Sequence, residues 1–431
     1  MLVISPDVVG KAMAGGGIRS YEFARALAPH ADVVLAGLGS ADASELDVPV
    51  VAYDPASPAA LREHIESADV VVGQPQWPTV AGWLRGSCAL VVVDLYVPEL
   101  FEVLAGWAGR QGAGRRLVAT LVVDRLGEAL RVGHRFLCAT DRQRDLWLGA
   151  MAGEGVLGRR TGGAWLDELM VKVPFGAPDA LATRAPGGRI AQRFPGVAGG
   201  DVVLWNGGLW SWLDPRTAIL AVDRLRRRLP DVKLVFMGAA GHRHAARATA
   251  EAQALARELG LDGRAVFFND AWVPYEERVN WLLDADCAVS AHLDHVETRF
   301  AFRTRLLDCF WAGLPVVCTE GDDLAERVAR DDLGGTVAAG DVDGMAAALG
   351  RVLERGRAPY APRLAAAARD YAWDNVTAPL VDVVMSDARP PRLGEGVPGH
   401  RAAAGRAAAY RAARATLNKL GLSGWPGGRA T

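Results

Sequence analysis

The chain has 431 residues, half of them hydrophobic, and a formal net charge of −2 at neutral pH. That length is too great for one ordinary α/β core and predicts two domains. The near-neutral balance excludes a duplex nucleic-acid binder, which needs a basic surface, so no nucleic acid is expected as a partner. Arginine supplies nearly all the positive charge, because only Lys11, Lys172, Lys233 and Lys419 are lysines. The five cysteines are widely spaced, without a CxxC pair or a Cys/His cluster. Neither a structural metal nor a disulfide framework is expected, and a reducing, cytoplasmic setting is. No basic leader with an apolar core opens the chain, and no apolar run reaches the length of a membrane span.

In chain order, short β-rich runs alternate with helical stretches. The first half offers strands at Leu2–Ser5, Asp32–Gly37, Val48–Tyr53, Asp69–Gly73, Ala89–Tyr96 and Arg135–Thr140. Helices are expected between them, including Ile18–Ala28, Pro58–Ser67 and Asp141–Ala150. Continuous Val/Leu runs joined by helices indicate a parallel sheet covered on both faces. The loop Gly10–Arg19, with Gly15, Gly16 and Gly17 in a row, leads into the first helix. Glycine lets backbone approach a ligand, and a helix start supplies N–H donors, although a plain turn fits the spacing equally well. Asp94, followed by Tyr96 and Glu99, stands at the carboxyl end of a strong strand, the edge where open α/β sheets bind ligands. Thr140 and Asp141 read as the cap of the next helix.

Between Thr183 and Gly200 the composition shifts to Pro, Gly and Ala, as in a linker. The α/β rhythm then resumes, with strands at Asp201–Asn206, Lys233–Met237, Ala265–Phe268, Asp286–Ala291, Leu314–Cys318 and Thr336–Ala339. Helices are expected at Pro215–Leu229, Ala245–Leu259, Tyr275–Asp284, Arg305–Ala312 and Val342–Arg355. Asn206, Gly207 and Gly208 follow the first of these strands, where the two glycines again permit close approach. The nearby Trp205, Trp210 and Trp212 fit either a sugar face or simple core. Trp272 and Val273 sit at another carboxyl edge and could stack on and hydrogen-bond a base. His242 and His244 read as a surface loop.

The densest stretch is Glu297–Val317, ETRFAFRTRLLDCFWAGLPVV. Arg303, Thr304 and Arg305 fall where a loop enters a helix, and guanidinium groups beside helix N–H donors suit a phosphate or diphosphate. Asp308, at i+4 from Thr304, is placed to accept hydrogen bonds from a ribose diol. A solvated Arg/Asp helix face is the competing reading. Further on, Trp373–Ser386 reads as a helix kinked by Pro379. The domain plan is therefore residues 1–182, a linker at 183–200, a second domain at 201–372, a helix at 373–388 crossing back, and a tail at 389–431. The Arg-rich tail, with a helix at His400–Leu420, reads as solvated; the alternative is a basic helix held weakly at a membrane surface, its apolar face being mostly alanine.

Two parallel α/β halves, a Gly-rich first loop, a mid-chain linker and a final crossing helix resemble the two-Rossmann (GT-B) glycosyltransferases, whose domains face across a cleft. The stretch above resembles the retaining family-4 branch, which carries Glu, seven residues, Glu, a helix and a Gly-x-Pro-Val-Val strand. Gly313–Val317 matches that strand, and Asp308 falls on the second Glu. Phe300 falls on the first, and Glu297 is the expected substitute for its sugar contact. The loop Asn206–Asp214 lacks the Arg and Lys the family uses for the diphosphate, so Arg303 and Arg305 are expected to supply that charge. The resemblance covers roughly residues 1–388. It implies sugar transfer with retention from a nucleotide-diphosphate donor to a small-molecule or glycan acceptor, in bacterial envelope or natural-product synthesis, without cofactor or metal. Asp94, Glu297 and Arg303 are the implied catalytic residues. Gly16, Gly17, Asn206, Gly207, Gly208, Trp272, Val273, Arg303, Thr304, Arg305 and Asp308 would bind the donor. Arg19, Asp94 and Tyr96 would meet the acceptor, with Asp94 orienting or deprotonating it. The alternatives are sugar transfer to a thiol or amine in an antibiotic pathway, a nucleotide-sugar epimerase, and a non-catalytic nucleotide-sugar binder. The protein is expected in the cytoplasm or at the inner face of the membrane.

Overall fold

The computed structural model describes residues 1–39, 46–106, 113–157, 163–238, 246–388 and 390–394. His242, His244 and the helix expected at His400–Leu420 lie outside the described residues. The chain divides into two compact units, one formed by Met1–Phe175 with the chain from Val376 on, the other by Gly176–Asn375.

The first unit is built on a seven-stranded sheet in the order β3-β2-β1-β4-β5-β6-β7. Its strands are β1 (Leu2–Ile4), β2 (Val34–Leu38), β3 (Val50–Tyr53), β4 (Val70–Gly73), β5 (Leu90–Asp94), β6 (Arg135–Cys138) and β7 (Met170–Lys172). Every pairing is parallel. The Val/Leu runs are buried on both faces because side chains alternate across the sheet. Ile4, Val71, Val91 and Val93 join one core cluster, while Val3, Val70, Val72, Leu90 and Val92 join the other. Leu380 and Val384, from the helix Trp373–Met385, complete the second cluster, and Leu393 completes the first. That helix holds Pro379 in its interior, as expected. Thr140 caps the helix Asp141–Gly153 by accepting from the Gln143 amide.

The second unit carries a six-stranded parallel sheet in the order β10-β9-β8-β11-β12-β13. Its strands are β8 (Val202–Gly208), β9 (Lys233–Gly238), β10 (Val266–Phe268), β11 (Cys287–Ser290), β12 (Val316–Thr319) and β13 (Gly334–Val337). Residues 183–200 contain a short helix, Ile190–Arg193, and a 3-10 turn, Pro195–Val197. Ile190 and Val197 are buried, Phe194 packs on Phe267 and Trp281, and Asp284 accepts from Arg184, Arg189 and the Ile190 amide. The two ends of the unit are clasped: the Ala177 amide donates to Tyr371 O at 2.7 Å, and the Trp373 amide to Ala177 O at 3.0 Å.

Both sheets reverse strand order beside their first strand, between β1 and β4 and between β8 and β11. Open α/β sheets bind ligands outside the carboxyl ends at such points.

Candidate active site in the second unit

The segment from His292 to Asp308 lies at the carboxyl edge of β11, beside the end of β8. It carries two turns of helix, Val296–Phe300 and Arg305–Trp311. The arginines that the sequence treats alike have different partners. Arg303 forks onto Glu297, with Nη1 at 2.9 Å from Oε1 and Nη2 at 2.6 Å from Oε2. Its Nε faces Asp322 Oδ2 at 3.8 Å without reaching hydrogen-bond range. Asp322 uses its other oxygen to cap the helix Asp323–Arg330, accepting from the Leu324 and Ala325 amides. His292 Nε2 approaches the same Oδ2 at 3.7 Å. Glu297, Arg303, Asp322 and His292 are all buried, so Arg303 lies between two carboxylates that neutralise it.

Arg305 has no such partner. Its Nη2 donates to Gly208 O at 3.1 Å, and its Nη1 is sheltered from solvent without any hydrogen bond. No described carboxylate forms an ion pair with it. Burial, and then the charge of Arg303, pull its pKa from the ordinary arginine range down to about 10. It is therefore still charged at neutral pH, and its charge is uncompensated. Its surroundings are fixed by β8: Asn206 Nδ2 donates to Arg305 O at 2.8 Å, and Trp205 lies under the guanidinium. Gly207 has φ 117°, a conformation side chains rarely adopt, and its bare Cα faces the Arg305 guanidinium. Trp210 and Trp212 stack in parallel planes, their centroids 5.5 Å apart, while Trp205 is core. Thr304 precedes the helix without capping it.

Asp308 faces Arg278, whose Nε lies 3.2 and 3.3 Å from its two oxygens. Burial works against the Arg278 charge, yet Asp308 and Tyr275 together outweigh it and hold the pKa above the ordinary arginine value. Trp272 is 43% exposed on the loop after β10, with Val273 beside it. Asn269 pins that loop by donating to Met237 O and Ala271 O.

In the first unit, Asp94 ends β5 as expected, but both its oxygens accept from Arg19, at 2.7 and 2.9 Å. Arg19 also donates to Val173 O and Pro174 O, between the rings of Phe23 and Tyr96, each 4.5 Å from the guanidinium. Burial raises the Tyr96 phenol well above its ordinary pKa. Gly16 and Gly17 leave room for the protein's own loop: a Cβ would press on Pro6 at one and on the Val8 carbonyl at the other.

Asp322, Arg278 and Tyr275 were not singled out by sequence reasoning. Arg278 lies 30 residues from its carboxylate, so no spacing rule links them. The signal that could have found Asp322 is the Asp-Asp-Leu run before an amphipathic stretch, which fits a helix cap. Among the described residues no group of three His, Cys, Asp or Glu could hold a metal ion, and no helix is long and apolar enough to cross a membrane.

Residues 200–355 match the family described as glycosyl transferases group 1. No curated protein sequence matches the chain. Among solved structures, Anabaena HepE in complex with UDP and glucose superposes with a TM-score of 0.64 at 15% identity, covering 89% of this chain and 99% of that one. WaaG, a glycosyltransferase involved in lipopolysaccharide biosynthesis, gives 0.58 at 18% identity over 90% and 100% of the two chains. A UDP-forming trehalose-phosphate synthase from Burkholderia xenovorans gives 0.62 at 14% identity over 89% and 98%. The two-sheet fold is thus the GT-B fold, and with a group 1 glycosyltransferase domain at residues 200–355 this chain is a glycosyltransferase.

Proposed function

We propose that the protein moves a sugar from a nucleoside-diphosphate donor to a small-molecule or glycan acceptor, with retention of configuration, in envelope polysaccharide or natural-product synthesis. The observation that carries this reading is the uncompensated guanidinium of Arg305 at the carboxyl edge of β8 and β11. A partly buried cation without a counter-ion is a standing site for an anion, and a diphosphate supplies one. Solved neighbours that hold UDP, or UDP with glucose, support a donor of that class.

In this reading the bond between the sugar's anomeric carbon and the diphosphate oxygen breaks, the acceptor hydroxyl oxygen bonds to that carbon on the same face, and the hydroxyl proton passes to a departing diphosphate oxygen. Negative charge grows on the departing oxygens. Arg305 stabilises it from a fixed position, which is worth more than the same charge reorganising in water. Thr304 and the Gly207–Gly208 backbone line the same spot. Asp308 takes the ribose, and Trp272 with Val273 takes the base. Glu297 and Arg303 brace the segment and leave Arg305 as its free charge. Asp94 enters as part of the frame with Arg19, because both its oxygens are already engaged. A cytoplasmic setting belongs to the same proposal.

The test is a calorimetric titration with UDP, GDP, TDP and ADP, followed by product analysis with the donor sugar that the preferred nucleotide names. Saturable binding of one diphosphate, followed by a glycoside whose anomeric signal keeps the donor's configuration, is expected. Absence of binding by all four refutes the donor site; an isomerised sugar nucleotide as product refutes transfer.

A further inference from the structure

Arg278 and Asp308 form an ion pair with an inside and an outside. Arg278 is 11% exposed and Asp308 27%. The arginine is held from three directions: Nη1 donates to Tyr275 O at 2.7 Å, the Tyr275 ring lies 3.6 Å from the guanidinium carbon, and the Trp311 ring lies 5.3 Å away. Its Nε reaches both carboxylate oxygens, at 3.2 and 3.3 Å, and Nη2 lies 3.2 Å from Oδ1. A carboxylate has about four lone-pair sites, so each oxygen keeps one directed away from the guanidinium. Two acceptors on one rigid plane suit two adjacent hydroxyls. The arginine also cancels a charge that would otherwise repel a diphosphate bound nearby at Arg305.

We infer that Arg278 is a positioning residue that fixes and neutralises Asp308 as a two-oxygen acceptor for a vicinal diol, so that the donor carries a ribonucleoside rather than a 2′-deoxynucleoside. This rests on the proposed reading of Asp308 as the ribose contact.

The experiment titrates UDP, GDP and ADP, each against its 2′,3′-dideoxy counterpart, together with TDP, into the full chain and into Asp308→Ala, Arg278→Met and Arg278→Lys. In the natural protein, removing the diol is expected to weaken binding about tenfold or more, since hydrogen bonds to a charged acceptor are lost. In Asp308→Ala and Arg278→Met the diol and dideoxy forms should bind about equally. A merely structural arginine would not move that ratio, because both forms would weaken together. Arg278→Lys keeps the charge without the fork and should leave a few-fold preference, which carries the test where Arg278→Met does not fold. Full diol preference in the Arg278 variants, or TDP as the tightest ligand, overturns the inference. Diphosphate binding without any diol preference in the natural protein overturns it while leaving Arg305 its role. Failure of every nucleotide to bind refutes the donor site, and this inference with it.

Discussion

Arg19 and Arg305 both belong to regions that the sequence marks as candidate sites, and they solve the problem of a sheltered guanidinium in opposite ways. Arg19 gives two hydrogen bonds to Asp94 and two to the carbonyls of Val173 and Pro174, with an aromatic ring on each side. It is finished, and what remains for it to do is hold β5, the first helix and the chain after β7 together. Arg305 gives one hydrogen bond to Gly208, keeps Nη1 unbonded, and has its proton weakened by burial and by Arg303. An arginine with every donor used is architecture, whereas one with a donor to spare and no counter-charge is waiting for a ligand.

The sharpest way to break this contrast is on the Arg19 side. Arg19→Met removes one half of a buried ion pair and strands the Asp94 carboxylate, so the protein should lose about 3–5 kcal/mol of stability. Chemical denaturation measures this, and a loss below about 1 kcal/mol would mean that the pair is not structural. Arg305→Ala should do the reverse. Stability should hold or rise, because an unsatisfied donor goes, while affinity for pyrophosphate or a nucleoside diphosphate should fall by about 2 kcal/mol, as for a lost charged hydrogen bond. The sign with pH follows from its lowered pKa. The unfolded chain keeps this proton up to the ordinary arginine range, and the folded chain gives it up near pH 10. The Arg305 charge therefore costs stability below pH 10, and the cost is relieved as pH rises from about 10 into the ordinary arginine range. Binding of pyrophosphate should weaken as pH rises through 10 in the natural protein and stay flat in Arg305→Ala. The smallest effect is expected from Glu297→Gln, which keeps a hydrogen-bonding oxygen on Arg303 but removes a charge. About 1–2 kcal/mol of stability should be lost, with Asp322 taking more of the arginine's charge. Donor affinity should change less than in Arg305→Ala; an equal loss would show that Glu297 itself touches the donor.

Much of the fold was legible because both sheets are parallel and buried. Continuous Val/Leu runs such as Ala89–Tyr96 carry the strand signal through their own burial, and the ends observed at Leu90 and Asp94 differ only by fraying. β7 was missed: it has three residues, two of them Val171 and Lys172, and too little apolar run to show. The short helix Val296–Phe300 was also missed, being set by its His295 cap and tertiary packing rather than by periodicity, and Asp323–Arg330 was missed although it is amphipathic, being only eight residues long. At the site, the spacing identified the right segment but could not rank Arg303 against Arg305. Their difference lies in Glu297, which folds back onto Arg303 and not onto Arg305, and in Gly208 O, which lies 97 residues from Arg305. For the same reason Asp94 reads as a reactive carboxylate until Arg19, 75 residues earlier, is seen to cover it. Partners so distant are fixed by topology, which composition and periodicity do not carry.

The clasp at Ala177 and Trp373 has a consequence for synthesis. The chain opens and resumes in one unit and spends residues 176–375 on the other, whose two ends meet at the Ala177–Ala372 bridge and at Asp179, which accepts from the Asp374 amide. A ribosome therefore releases the later-starting unit whole while the earlier one still lacks Leu380, Val384 and Leu393 from its cores. Domains fold as units and tolerate insertion where their ends are close. The order of completion is thus the reverse of the order of initiation: the unit bearing Arg305 is closed first, and the half built around Arg19 waits for the helix Trp373–Met385 before its sheet is covered.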